Sequence, residues 1–386
     1  MTPEREARRN VFLPDTILVS PEAEEDALTA RILARLPQAS VRSLPSSEDP
    51  LSPIDTADSG DAERYSAGKR ALMLTRYRGA WLKSCPGTSD HVCCNLWIVN
   101  PGEGCPFDCT YCYLQSYLRR NPTLKLYTNT AEMLQAIAAR AAAEPGRLFR
   151  VCTGELIDSL VWDELSDLSL ELVPLFARLP NGVLELKSKD SFVDNLLTLR
   201  DEHQGHTVVS WSMNAPQVSS HDEALTAPLQ ERIAAAEQVV EAGYRVGFHF
   251  DPLVWFEGWE ESYSQTIAEI FARIKPEHVA WVSVSTLRYR SELQNMMLER
   301  FPASKLPFGE QFRATDNKWR YVQPIRFKML SFVWNRLKEV KHDMPVYMCM
   351  ETSAAWRNVA GHAPAANSEL AEIFTRRGRL PVLHGT

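Results

Sequence analysis

Short apolar runs alternate with amphipathic segments from about residue 95 onward. Six runs have the length and composition of strands, at residues 95–100, 148–151, 183–187, 207–212, 245–250 and 279–284. Helical periodicity occupies most of the intervals, at residues 131–143, 165–177, 192–199, 225–242, 264–274 and 292–299. This alternation predicts βαβ units around a parallel sheet. Six units are too few to close an eight-stranded barrel. We therefore predict an α/β fold, a partial, crescent-shaped (β/α)6 TIM-like barrel.

The regions that flank this pattern differ from it. We predict three regions in chain order: an N-terminal extension and linker (1–65), the barrel (66–300) and a C-terminal hairpin with a helical tail (301–386). The extension contains an extended run at 16–20 and an amphipathic segment at 27–36. Residues 43–63 are rich in Pro, Ser and Asp and lack apolar periodicity, which is typical of a surface loop.

Composition narrows the class of protein. The 386 residues are 45% hydrophobic and 24% charged, as in soluble globular proteins. A formal net charge of −7 argues against non-specific coating of nucleic acid, although it allows a local basic patch. We find neither a membrane span nor a secretory signal pattern. Seven of the eight cysteines lie between residues 85 and 152, which indicates a reduced, cytoplasmic metal protein rather than a disulfide scaffold.

Three of those cysteines form one short motif. Cys105, Cys109 and Cys112 have the spacing C-x3-C-x2-C, and Gly102 and Gly104 precede them. Three thiolates are one fewer than a closed zinc site or a fully ligated iron–sulfur cluster needs. A [4Fe–4S] cluster held this way keeps one iron open for S-adenosylmethionine, which it can cleave to a 5′-deoxyadenosyl radical. The remaining alternatives are a zinc knuckle with a distant fourth ligand and buried structural thiols.

Polar residues follow each predicted strand at the point where its apolar run stops. Cys152 follows the second strand, Lys189 the third, Ser212 and Asn214 the fourth, and Asp251 the fifth. In β/α barrels these strand ends carry the active site. We therefore predict that Lys189, Ser212 and Asn214 contact the carboxylate and ribose of S-adenosylmethionine.

Three further residues have two interpretations each. Cys152 is either a buried, inert thiol or a hydrogen-atom donor that quenches a carbon radical. Tyr111 and Tyr113 flank Cys112, and each is either a packing residue or a relay for a hydrogen atom.

The remaining cysteines precede or follow the barrel pattern. Cys85, Cys93 and Cys94 lie upstream of the cysteine motif, and Cys349 lies far downstream. A second metal site is conceivable, but adjacent cysteines do not easily bind one small ion together. We therefore interpret these thiols, and His91, as structural.

Residues 305–328 interleave basic and aromatic side chains: Phe312, Arg313, Lys318, Trp319, Arg320, Tyr321, Arg326, Phe327 and Lys328. Such interleaving suits contacts with phosphates and stacking on bases. The segment predicts a DNA or nucleotide-bearing partner. The alternative is a solvated hairpin whose aromatic residues anchor it to the domain.

The cysteine motif and several other segments of the chain resemble those of a known family. The cysteine motif in CPFDCTYCYLQ is similar to the cluster loop of the spore photoproduct lyase family in the radical S-adenosylmethionine superfamily. The similarity continues in the segments PDTILVSPEAEEDAL, WLKSCPGTSDHVCC, VCTGELID, KSKDSFVDNLL, SWSMN and AGYRVGFHFDPLVWFEGWEESY. The family reverses a methylene-bridged thymine dimer in DNA.

The resemblance implies a role for individual residues. Cys105, Cys109 and Cys112 match the cluster ligands, and Cys152 matches the hydrogen-donor cysteine. The other matches are Tyr111 and Tyr113 with the radical relay, Lys189 and Ser212 with the cofactor contacts, and residues 318–321 with part of the DNA-binding hairpin. The chemistry also implies a reductant such as flavodoxin or ferredoxin.

The chain departs from the family in several places. The family's lyases carry a Ser-Asp pair after the donor cysteine, where this chain has Gly154 and Glu155. The hairpin match is short, and residues from 344 onward extend past the end of the sporulation enzymes. Two alternatives therefore stay open: the same radical chemistry on a free nucleotide, peptide or metabolite, and a DNA-associated iron–sulfur or zinc protein without turnover.

Overall fold

The large sheet of this protein is an open barrel whose eight strands follow one another in chain order. The computed structural model describes residues 13–45, 60–85, 87, 91–367, 369–370 and 374. The strands are β1 (Leu82–Ser84), β2 (Trp97–Val99), β3 (Phe149–Cys152), β4 (Gly182–Ser188), β5 (Thr207–Ser212), β6 (Arg245–Leu253), β7 (Val279–Thr286) and β8 (Val346–Met348). Neighbours from β2 to β8 pair in parallel, and β1 pairs antiparallel with β2.

The six predicted strands are confirmed as β2 to β7. Every residue of β5 and of β7 is buried, as expected for parallel strands that are covered on both faces. The sequence did not predict β8, because three apolar residues after a lysine-rich helix carry too little periodicity to be recognised. The α/β partial barrel is confirmed, with this extra strand at its edge.

Helices connect the strands and cover the outside of the sheet. In chain order they are Ala27–Arg35, Asp61–Gly68, Leu114–Tyr117, Thr130–Ala143, Asp163–Ser166, Leu168–Ala177, Asp194–Thr198, Pro216–Asp222, Leu229–Glu241, Trp259–Arg273, Ser291–Arg300, Gln323–Val340 and Ser353–Ala360. Short 3-10 turns occupy Pro21–Ala23, Pro276–His278 and Leu306–Phe308. None of the helices in the described ranges is long and apolar enough to cross a membrane.

Three of the predicted helices differ clearly in their bounds, and the one predicted at 264–274 already begins at Trp259. The segment 165–177 breaks at Asp167, which has a φ of 55°, because the Asp163 carboxylate binds the amide (2.8 Å) and hydroxyl (2.6 Å) of Ser169. The segment 225–242 becomes helical only at Leu229. The residue before it is Pro228, in an extended conformation at the N-cap.

The N-terminal region forms a second, smaller sheet. Its strands, in spatial order, are Ser40–Ser43, Thr16–Val19, Ala71–Thr75, Leu124–Tyr127 and Gly102–Glu103. Strands from both sides of residue 65 therefore pair with one another. The division of the chain at residues 65 and 300 stays a prediction, and part of the expected linker, residues 46–59, lies outside the described residues.

The predicted C-terminal hairpin is part of a three-stranded antiparallel sheet. Its strands are Arg288–Arg290, Lys318–Tyr321 and Gln311–Arg313. The interpretation of its basic and aromatic residues as partner contacts needs correction at three positions. Arg320, Tyr321 and Arg326 are 1%, 1% and 8% exposed, so they stabilise the domain instead.

Polar groups lie inside the barrel around one carboxylate. Glu185 on β4 accepts hydrogen bonds from the Ser210 hydroxyl (2.9 Å) and the Trp281 indole (3.0 Å). Nε2 of His249 lies 2.8 Å from the same oxygen. Burial opposes ionisation of Glu185, but His249 above all, followed by the charges of Arg150 and Lys187, lowers its pKa to about 2. The barrel interior therefore contains a fixed negative charge.

Gly102 sets the path of the chain from β2 into the cysteine motif. A Cβ atom at this position would lie 2.2 Å from the backbone oxygen of Lys125 and 3.0 Å from a methyl of Ile157. A backbone oxygen in a paired strand cannot move aside easily. This close approach therefore requires glycine.

We expect Gly102→Ala to lower the free energy of unfolding by about 2 kcal/mol, because the new methyl overpacks a paired backbone. Urea unfolding followed by circular dichroism measures the change. Gly146→Ala is the matched control, since a Cβ there meets no atom within 4 Å. Equal stability of the two variants would contradict the close approach.

Candidate active site

The cysteine motif lies directly after β2, at the carboxyl edge of the parallel strands. Asp108 and Cys109 form a short strand that pairs antiparallel with Glu223 and Ala224. Next to it, the buried Gln115 side chain donates to the backbone oxygens of Cys109 (3.1 Å) and Thr110 (2.8 Å). The backbone pairing ties the loop to the segment that follows β5, and the Gln115 bonds hold the loop itself in place.

A second anchor holds the other side of the loop. Asp108 accepts hydrogen bonds from Lys69 Nζ (2.9 Å) and from Arg300 Nη2 (2.8 and 2.9 Å). Burial opposes the negative charge of Asp108, but the two cations hold its pKa below the ordinary value. Lys69 and Arg300 come from helices far apart in the chain, so no local pattern could have indicated them.

The three thiols of the motif lie close enough to influence one another. Burial is the main cause that raises the pKa of Cys105, Cys109 and Cys112, to about 12 for Cys109. Lys69 or Lys189 acts against this shift at each thiol. Without a metal these thiols are protonated at neutral pH, and a bound cation would be needed to hold them as thiolates.

The donor set fits an iron–sulfur cluster better than a closed ion site. Three soft sulfur ligands on one loop, beside two lysines, suit an anionic cluster that keeps one iron open. No three His, Cys, Asp or Glu side chains in the described part of the chain are already arranged to hold a metal ion. The ligand role of Cys105, Cys109 and Cys112 therefore stays a prediction.

Tyr111 belongs to a buried network. Its hydroxyl donates to Glu223, which forms an ion pair with Arg232 at 2.7 Å. Both charged side chains are fully buried. Burial and the charge of Glu223 raise the pKa of Tyr111, so its hydroxyl keeps its proton.

Asn214 joins the same network. Its amide donates to Glu223 (3.3 Å) and to the Pro252 carbonyl (3.2 Å), and its oxygen accepts from the Tyr263 hydroxyl (2.6 Å). Both polar atoms of this side chain thus have protein partners. The predicted contact of Asn214 with S-adenosylmethionine stays a prediction.

Lys189 and Ser212 lie on either side of this network. The ammonium of Lys189 is 5.8 Å from the centre of the Tyr111 ring. Ser212 is the last residue of β5, and its backbone oxygen accepts from Arg232 Nη1 (2.9 Å). The structure thus brings Lys189 to the cysteine motif and places Ser212 at the same edge of the sheet, while their cofactor contacts remain untested.

Cys152 is the last residue of β3 and is 3% exposed. Its sulfur accepts a hydrogen bond from the Gly154 amide at 3.3 Å. Burial, followed by the negative charge of Glu185, raises its pKa to about 12. The thiol is therefore protonated at neutral pH, which a hydrogen-atom donor requires.

Tyr113 connects the cysteine motif to the segment after Cys152. Its hydroxyl donates to the backbone oxygen of Glu155 at 2.9 Å, and the Glu155 carboxylate is 3.3 Å away. The ring is 42% exposed. The cysteine motif and the segment after Cys152 thus meet through this tyrosine at the protein surface.

Comparison with known proteins agrees with this geometry. A family model described as Spore photoproduct lyase matches residues 12–349. The chain belongs to the spore photoproduct lyase family. The family resemblance is thereby confirmed, and the family consists of radical S-adenosylmethionine enzymes.

Individual members of the spore photoproduct lyase family are distant relatives of this chain. The spore photoproduct lyase of Bacillus subtilis is 30% identical over 54% of this chain and 61% of its own length, so less than two thirds of that relative is covered. The Clostridium acetobutylicum enzyme is 22% identical over 74% of this chain and 78% of its own length.

Two solved spore photoproduct lyases have the same fold. One is a doubly substituted enzyme with bound AdoMet and dinucleoside spore photoproduct, at a TM-score of 0.77 and 21% identity. The other is a complex with dinucleoside spore photoproduct, at a TM-score of 0.76 and 20% identity. Each comparison covers 88% of this chain and 99% of the solved chain.

The ion pair of Glu223 and Arg232, which holds the candidate site together, was not predicted from the sequence. Glu223 and Arg232 lie in a helical pattern and its approach, where charged residues are ordinarily interpreted as solvent-facing. The pairing of Glu223 with Cys109 and the bond from Tyr111 to Glu223 show that this segment packs against the cysteine motif.

We expect Glu223→Gln to lower the free energy of unfolding at pH 7 by about 3 kcal/mol, because it leaves Arg232 as an unpaired buried charge. Burial alone would raise the pKa of Glu223, but Arg232 and Lys189 hold it below the ordinary value of 4.5. A depressed pKa contributes stability above pH 4.5 that is lost as the pH falls through the folded-state pKa. The deficit of the variant should therefore shrink below pH 4.5.

Chemical unfolding between pH 7 and pH 3 measures this dependence. The exposed Glu257→Gln is the control variant, and its difference from the wild type should stay small throughout. A deficit of Glu223→Gln that does not change with pH would refute the depressed pKa.

Proposed function

We propose that this protein is a radical S-adenosylmethionine enzyme that breaks the C–C bond of a thymine-dimer-type lesion in DNA. One observation carries the proposal. A buried, protonated Cys152 thiol ends β3, and the segment after it contacts the cysteine motif through Tyr113 and Glu155. Membership of the spore photoproduct lyase family supports the same chemistry.

The cysteine motif would hold the cofactor. When bound to Cys105, Cys109 and Cys112, a [4Fe–4S] cluster cleaves S-adenosylmethionine and supplies a 5′-deoxyadenosyl radical. Lys189, Ser212 and Asn214 would position the nucleoside cofactor. Lys189 suits this role best, because it is a cation beside the motif and can attract a carboxylate.

Cys152 would end the reaction by giving a hydrogen atom to the product radical. An S–H bond is weak, and burial keeps this one intact at neutral pH. Tyr111 and Tyr113 would relay a hydrogen atom from 5′-deoxyadenosine to the thiyl radical left on Cys152, which would restore both the thiol and the 5′-deoxyadenosyl radical. Their surroundings differ, because Tyr111 is anchored to the buried Glu223 whereas Tyr113 is exposed and bonded to the segment that follows Cys152.

Two solved family members hold the dinucleoside spore photoproduct, which supports a nucleotide-bearing substrate for this chain. Exposed aromatic side chains provide surfaces on which bases could stack: Tyr117 at 64%, Phe308 at 70% and Phe312 at 40% exposure. Arg313 is also exposed and lies next to Phe312 on one strand. A one-electron reductant such as flavodoxin or ferredoxin and a cytoplasmic location complete the proposal.

Two cysteine variants test whether Cys109 and Cys152 have the separate roles of cluster ligand and hydrogen-atom donor. We expect Cys109→Ala to abolish cleavage of S-adenosylmethionine, because a cluster ligand is lost. Cys152→Ala should retain cleavage but lose most of the repaired thymine, because the product radical is no longer quenched by a thiol. Anaerobic reconstitution followed by chromatography of 5′-deoxyadenosine and of digested, irradiated DNA measures both products.

Each other outcome has a distinct meaning. Repair by Cys152→Ala at the wild-type yield would remove the donor role of this residue. Formation of 5′-deoxyadenosine without turnover of the lesion would point to another nucleotide, a peptide or a metabolite as substrate. A reconstituted wild-type protein that never cleaves S-adenosylmethionine would refute the proposal that this protein is a radical S-adenosylmethionine enzyme.

A further inference from the structure

The two edges of the open barrel meet at a second group of cysteines. Strands β1 and β8 are the edges of the large sheet. Cys85 directly follows β1, and Cys349 directly follows β8. Cys93 and Cys94 lie between β1 and β2. Four thiols from both edges therefore line one seam of the barrel.

The four thiols surround one small cavity. The cavity measures ≈ 20 Å³, room for about one water-sized sphere, and its walls include all four cysteines together with Met348 and Met350. The Cys93 thiol neighbours the thiols of both Cys85 and Cys94. Sulfur atoms thus dominate the walls, which selects soft metal ions.

The backbone holds both sides of this seam in place. Residues 91–92 pair antiparallel with residues 351–352, which brings Cys93 and Cys349 together. The Cys85 amide donates to the Leu96 carbonyl at 2.8 Å, and the Cys349 amide donates to the Val284 carbonyl at 3.2 Å. The thiols therefore meet because of paired backbone and not through loose loops.

The adjacent pair Cys93–Cys94 can face a single site. Consecutive side chains point to opposite faces only in an extended strand. The strand here ends at Val92, and the chain turns at Asn95, whose φ is 53°. Both thiols consequently line the same cavity, which removes the objection to joint binding that the sequence raised.

A buried cation stands beside the thiols. Arg150 is 3% exposed, and none of its guanidinium nitrogens has a hydrogen-bond partner among the described residues. Arg150 is close enough to Cys94 for the two groups to interact electrostatically. On the other side, Arg288 Nη2 lies 3.9 Å from the Cys349 sulfur. Four thiolates around a divalent ion carry a net negative charge, which Arg150 would partly balance, whereas Arg288 also pairs with Asp251 at 3.2 Å.

We propose that Cys85, Cys93, Cys94 and Cys349 bind one zinc-type divalent ion that joins the two edges of the open barrel. The size of the cavity favours one ion over an iron–sulfur cubane. As with Cys105, Cys109 and Cys112, the described thiols converge without yet forming a ligand shell. The site does not depend on the radical chemistry, and its function is structural closure.

The metal content of variants tests this site. The triple variant Cys105→Ala/Cys109→Ala/Cys112→Ala removes the other thiol site and serves as the background. Purified without air from zinc-supplemented cells, it should contain one zinc per chain by mass spectrometry. Adding Cys85→Ser or Cys349→Ser should remove the zinc, whereas adding Cys152→Ser, a buried cysteine outside the cavity, should leave it.

Two measurements leave the four cysteines of this site unsubstituted, so they cover the case in which a serine variant fails to fold. Cobalt substitution of the triple variant should give the intense thiolate-to-cobalt absorption of four sulfur ligands. A strong chelator should lower the thermal midpoint of the wild-type chain. Zinc-free protein, a disulfide among the four cysteines, iron in place of zinc in the triple variant, or zinc that persists in both serine variants would each overturn the proposal.

Discussion

The buried ion pair of Glu223 and Arg232 is the interaction on which the candidate site depends. Glu223 accepts from Tyr111 and Asn214, and its backbone pairs with that of Cys109. Arg232 also donates to the backbone oxygen of Ser212, so it reaches the end of β5. A charge pair without solvent access is costly unless all of its partners are in place. The pair therefore fixes the cysteine motif, a tyrosine and the end of a barrel strand in one mutual arrangement.

Much of the fold followed from periodicity. Strands β2 to β7 and most of the connecting helices were predictable because each has a strong, locally encoded apolar pattern. The same pattern predicted where the chemistry lies, since reactive residues follow the apolar runs. Cys152 and Lys189 illustrate this, because both stand at strand ends that the parallel sheet brings to one edge.

The features that were not predicted from the sequence depend on contacts between residues far apart in the chain. The N-terminal sheet needs Ala71–Thr75 between Thr16–Val19 and Leu124–Tyr127, and none of these runs indicates its neighbours. Arg320 was interpreted as a partner contact because it alternates with aromatic residues. Its ion pair with Asp316 at 2.6 Å is local, but its burial and its approach to Glu351 at 3.9 Å depend on tertiary contacts that a local pattern does not contain.

Cys109 and Cys152 share one physical environment, but the roles proposed for them need opposite protonation states. Burial raises the pKa of Cys109 and of Cys152 alike. The charge that acts most strongly on Cys109 is Lys189, which favours a thiolate, whereas the charge that acts most strongly on Cys152 is Glu185, which favours the thiol. A cluster ligand must lose its proton and a hydrogen-atom donor must keep it. Lys189, directly after β4, and Glu185, in the middle of the same strand, thus act in opposite directions on two thiols of the candidate site.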